Sequence, residues 1–116
     1  MIKLNLKRED YWLDLGFGVR VNVAPLSTAL VMAARSAAAA KIQSTDEAVG
    51  TRAAGFLTEL AQEAFIAWEG VCDENGEQAA FTDENVQALM QLWPIADAFE
   101  RLYLTPSLLL EQEKNG

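Results

Sequence analysis

The sequence predicts an α+β domain, with a small N-terminal antiparallel sheet of two or three strands packed with four or five helices. Three observations lead there. Over the first 24 residues apolar and polar side chains alternate, the period-two pattern of half-buried strands. Beyond Ser27 the apolar spacing lengthens to three and four, the period of a helix buried along one stripe. Serine and threonine residues stand just ahead of several of these stretches, where a side-chain oxygen can cap a helix. With 116 residues the chain suffices for one core, so a single domain is expected over 1–116, β-rich over 1–24 and mainly helical over 27–113.

The first candidate strand is Ile2-Lys3-Leu4-Asn5-Leu6, with its apolar residues on even positions. In the second, Tyr11, Leu13 and Leu15 oppose Trp12 and Asp14; in the third, Val19, Val21 and Val23 alternate with Arg20, Asn22 and Ala24. Gly16-Phe17-Gly18 supplies the turn between the last two, and Pro25 ends the sheet. Ser27 then caps a helix over about Thr28 to Gln43, rich in alanine, the best helix former. Ala29, Ala33, Ala37 and Ala40 fall near one face, where small residues allow a second helix to approach closely.

Thr45 is placed to cap a second helix from Asp46 to Trp68, with Asp46 and Glu47 at its positive end. Its buried stripe reads Val49, Ala53, Phe56, Leu57, Leu60, Ala64 and Trp68, with Ala61 and Phe65 beside it. Asp73-Glu74-Asn75-Gly76 signals a tight turn, since Asn-Gly suits positive φ, and Val71 is expected to pair briefly with Ala79 to Phe81. Thr82 caps the next helix, with Phe81 and Val86 at hydrophobic-staple positions. Pro94 opens a helix through Tyr103, and Thr105-Pro106 opens a short one to about Glu113. Lys114-Asn115-Gly116 reads as a loose tail.

Charge is divided unevenly. Residues 1–45 hold six Lys/Arg and three Asp/Glu, whereas residues 46–116 hold three Lys/Arg and fourteen Asp/Glu. An acidic surface repels a phosphate backbone, which argues against nucleic acid as a partner. It keeps the chain soluble, and it can also dock a basic partner or the basic end of another copy. No apolar run approaches the ~20 residues of a membrane span, and the N-terminal residues lack a continuous apolar stretch, so a cytoplasmic protein without membrane contact is expected.

The residue types for common catalysis are sparse. Histidine is absent, removing the commonest general base and metal ligand. The lone Cys72 has no evident activating partner nearby in the sequence. A calcium loop with Gly76 at its sixth position would place Val71 first and Thr82 twelfth, neither of which fits the ligand pattern. Glu59 and Glu63, one helical turn apart, read as a solvated face. The expectation is therefore a non-enzymatic protein with no catalytic residues, cofactor or metal. Most aromatics, namely Trp12, Trp68, Trp93, Phe65, Phe81, Phe99 and Tyr103, are expected in the core. Phe17, between two glycines, is harder to bury. Leu102, Leu104, Leu108, Leu109 and Leu110 either close the core or offer an apolar face to another chain.

The stretch Ala67-Trp68-Glu69-Gly70-Val71, Asp73-Glu74-Asn75-Gly76, Phe81-Thr82 and onward through Leu89 resembles small tail-assembly chaperones of long-tailed phages. The N-terminal strands, the alanine-rich helix and Pro94 to Leu104 are similar to small prophage proteins of this kind. The resemblance implies a non-enzymatic role: coating the long helical tape-measure protein, keeping it soluble and releasing it as tail-tube protein polymerises around it, often with self-association along the target. On that reading the expected partner-binding residues are Phe17, Trp93, Leu104, Leu108 and Leu109. The alternative is a structural head–tail or tail-completion subunit whose sheet edge joins neighbouring copies.

Overall fold

The computed structural model describes residues 9–41 and 49–106. The expected strand over Ile2 to Leu6, the Thr45 cap, Leu108, Leu109 and the loose tail lie outside the described residues.

Strands β1 (Tyr11–Gly16) and β2 (Val19–Val23) form an antiparallel hairpin in which Leu13 faces Val21 and Tyr11 faces Val23. The alternation in sequence becomes two sheet faces. Leu15, Val19, Val21 and Val23 are buried, while Trp12, Asp14 and Arg20 are exposed. Tyr11, expected on the apolar side, is also exposed.

Helix α1 (Thr28–Lys41) begins where Ser27 Oγ accepts a hydrogen bond from the Leu30 amide at 3.2 Å. It packs on α2 (Val49–Ala64). The expected alanine face is not the contact: Ala29, Ala33 and Ala40 are exposed, and Ala34 is the buried alanine. Leu30, Val31 and Ala37, which lie near Ala34 at helical spacing, are partly buried, so the contact runs along a stripe that includes the larger residues. Lys41 of α1 forms an ion pair with the buried Glu59 of α2.

Among the described residues, the third strand of the sheet comes from the middle of the chain. It is β3 (Phe65–Glu69), which pairs antiparallel with β2 and gives the order β1-β2-β3. The helix expected through Trp68 therefore stops at Ala64. The helix-like spacing of Phe65 and Trp68 comes from a bulge: Asn22 pairs with Ala67 but Val23 pairs with Phe65, leaving Ile66 as an extra residue. That slip turns both Phe65 and Trp68 into the core, while Ile66 is exposed. A three-residue spacing that reads as a helical stripe is here produced by a strand.

After the turn, α3 (Asp83–Met90) starts at Thr82, whose hydroxyl oxygen accepts from the Asn85 amide at 3.2 Å. Helix α4 (Trp93–Phe99) has Pro94 in its first turn and runs into a π-helical segment, Glu100–Leu104. Thr105 does not restart the chain as an N-cap: its backbone is right-handed helical, and its amide bonds the Glu100 carbonyl five residues back. Leu60, Ala61 and Ala64 of α2, Val86, Leu89 and Met90 of α3, and Ile95, Ala98 and Phe99 of α4 complete the core under the sheet. Phe99 stacks on Tyr103 at 5.0 Å and takes Phe65 edge-on at 5.2 Å. The Tyr103 hydroxyl donates to the Ala24 carbonyl at 2.6 Å, tying the last helical segment to the end of β2. Burial, with Tyr11 nearby, pushes the Tyr103 phenol well above its ordinary pKa, so it remains a neutral donor. No helix among the described residues is long and apolar enough to cross a membrane.

Candidate binding surface

The hairpin tip is built from three successive residues with positive φ: Gly16 at 86°, Phe17 at 57° and Gly18 at 78°. Phe17 and Gly18 are the two-residue loop between the paired Gly16 and Val19. Positive φ at both central residues matches the twist of the flanking strands, which is why such turns usually carry Asn-Gly. A phenylalanine there is sterically disfavoured by about 1 kcal/mol, and with 80% of its surface exposed it recovers little through burial. The Asp14 carboxylate accepts from the Gly16 amide at 2.9 Å. Gly70, just after β3, packs so closely that a Cβ on it would lie 1.9 Å from the Gly18 carbonyl oxygen. The tip is clamped from below, and Phe17 projects from it.

Behind the tip, the outer face of the sheet carries Trp12 with the Arg20 guanidinium 5.0 Å from its ring centre. Arg20 also bonds the Glu69 carboxylate at 3.0 Å, linking all three strands across this face. Both partners are about half exposed, so the pair orients side chains more than it stabilises the fold.

Of the residues expected to bind a partner, the structure describes Phe17, Trp93 and Leu104; Phe17 and Trp93 stand out from the surface, Trp93 being 73% exposed beside an exposed Leu92. Trp93 thus leaves the group of expected core aromatics, as do Trp12 and Phe81. Leu104, expected either to close the core or to meet a partner, is partly buried and packs against the core, one residue after the buried Tyr103. Leu102, two residues earlier, is exposed.

The acidic turn forms as expected. Asp73 accepts from the amides of Asn75 at 2.9 Å and Glu77 at 3.0 Å, and Gly76 sits at φ 79°. The Ala79 amide bonds the Val71 carbonyl at 2.8 Å, giving the short pairing anticipated there. Trp68 Nε1 donates to the Ala79 carbonyl at 3.1 Å, and Phe81 meets the Trp68 ring edge-on at 5.2 Å. Between β3 and residues 78–81 lies a shallow groove of about 380 Å³ lined by Ile66, Ala67, Trp68, Gln78, Ala79, Ala80 and Phe81. Sequence reasoning missed this groove because it took Ile66 for part of a helix. The available signal was the aromatic and β-branched run Phe65-Ile66-Ala67-Trp68 ending at a glycine.

Cys72 is free and exposed. Among the described residues no group of three or more Cys, Asp or Glu is placed to hold a metal ion. This surface presents aromatic knobs, an apolar groove and carboxylates. Comparison with protein-family models, curated proteins and solved structures found no match.

Proposed function

We propose that this chain is a non-enzymatic phage tail-assembly chaperone that acts in the host cytoplasm and binds the tape-measure protein. Tail-tube protein is a second partner, and self-association along the target is part of the same reading. The observation that supports it best is the pair of large aromatics held outside the core, Phe17 and Trp93. Aromatic side chains supply much contact area for few rotatable bonds, which makes them effective anchors on apolar surfaces. A long amphipathic helix offers such a surface as a stripe of i, i+3, i+4 positions. The acidic exterior then keeps the coated complex in solution.

The test is coexpression with a tape-measure protein of a long-tailed phage, scored by soluble yield and copurification. Wild-type chain is expected to keep the tape-measure protein soluble, while Phe17→Asp combined with Trp93→Asp, folded by circular dichroism, is expected to leave it insoluble. Finished particles should lack the chain. Stoichiometric copies in them would replace this reading with that of a structural head–tail or tail-completion subunit.

A further inference from the structure

We propose that the outer edge of β3 takes up an extended partner segment of alternating apolar and Lys/Arg residues as an added strand. β3 is, among the described residues, the last strand of the sheet, paired on one side with β2. Among the described residues no backbone hydrogen bond reaches its other side. An edge of five residues spans about 17 Å and presents a row of amides and carbonyls that an incoming strand satisfies. Phe65–Glu69 carries neither lysine nor proline, and its bulge at Ile66 leaves Ala67–Glu69 as the regular part of the edge.

The groove alongside explains the apolar half of the pattern. Its walls are Ile66, Ala67 and Trp68 on one side and Ala79, Ala80 and Phe81 on the other. Trp68 is fixed there by its bond to Ala79 and its edge contact with Phe81. An added strand directs alternate side chains to opposite faces, so one set lies against this wall and the other faces outward.

Charge explains the other half. Residues 53–100 contain ten Asp/Glu and no Lys or Arg. Glu69 at the end of β3 is already paired with Arg20, but Glu77 immediately precedes the groove wall and Asp83 and Glu84 follow it, all exposed. A basic segment meets an attractive rim along its length, and an acidic one is repelled. The same argument disfavours edge-to-edge pairing of two β3 strands, because it brings two such rims together. The inference stands apart from the tail-assembly reading, since it concerns an extended segment and not a helix.

The experiment is an NMR titration of the isotope-labelled full chain with an eight-residue peptide of alternating valine and lysine. Two comparison peptides carry glutamate for lysine, or the valine–lysine sequence with alternate backbone amides N-methylated. Amide shifts and slowed exchange confined to 65–69 and 78–81 are expected with the first peptide. Affinity should fall about tenfold or more on N-methylation, and the glutamate peptide should not bind. Ile66→Lys, at an exposed position, should weaken binding while leaving the folded spectrum in place. Equal binding of the N-methylated peptide would reduce the effect to charge attraction and overturn strand addition. So would shifts elsewhere, an absence of binding, or concentration-dependent shifts at 65–69 without peptide, which would make a second copy the occupant.

Discussion

Gly70 follows β3 and Gly76 closes the acidic turn, with nearly the same backbone, φ 80° and 79°. Their surroundings are opposite. A Cβ on Gly70 would lie 1.9 Å from the Gly18 carbonyl oxygen and 2.8 Å from its carbon, whereas a Cβ on Gly76 would have nothing within 4 Å. Gly76 is needed for a local turn that Asp73 already organises by accepting two amides. Gly70 is needed because two distant pieces of chain meet there, the end of β3 and the tip of the first hairpin. The pair separates two reasons for a glycine: left-handed backbone alone, and left-handed backbone joined to close approach.

The largest effect should come from Gly70→Ala. The added methyl must displace backbone and not the end of a flexible side chain, so the loss of stability is expected to exceed ~3 kcal/mol, among the larger single-residue losses. For a domain whose whole stability is on the order of 5–15 kcal/mol, urea unfolding would read this as a large drop in midpoint. A loss no greater than that of Gly76→Ala would mean that the hairpin tip is not clamped by β3.

Asp73→Ala should come next, at about 1–2 kcal/mol, because it strips two amides of a shared acceptor. Hydrogen exchange would report it directly: the amides of Asn75 and Glu77 should exchange faster while those of β2 keep their protection. Equal acceleration in β2 would show that the turn is coupled to the sheet and is not a local unit. Gly76→Ala should cost about 1 kcal/mol, the penalty of a left-handed alanine, and the same unfolding measurement serves. Gly76→Asn should recover part of that loss, since asparagine tolerates this conformation.

The same contrast between local and distant causes explains what could be read from the sequence. The Asp-Glu-Asn-Gly turn, the Thr82 and Ser27 caps and the Val19-Val21-Val23 alternation are local codes, and each appears at the expected residues. β3 was illegible because its inward residues, Phe65 and Trp68, owe their shared side to the bulge at Ile66, which exists only in register with β2. The exposed Phe17 was legible from the two glycines beside it. Which of its two expected roles Leu104 takes was not, because its partial burial depends on a π-helical segment that sets where Tyr103 meets Ala24. The groove beside β3 combines both difficulties, being formed by a strand taken for helix and by residues 78–81 beyond the acidic turn.

Phe17 carries the comparison to its smallest expected effect and its most informative sign. It shares the positive φ of both glycines without their conformational freedom, and little burial compensates it. Phe17→Asn places the favoured residue at the first central position of this turn, so stability should rise by about 0.5–1 kcal/mol, seen as a higher urea midpoint with an unchanged slope. If the phenyl ring is an anchor, the same variant should hold less tape-measure protein in solution than wild type. A gain in stability joined to a loss of binding is the signature of strain kept for contact. A loss of stability instead would mean that the ring packs usefully against its own hairpin, and the case for Phe17 as a partner-binding residue would go with it.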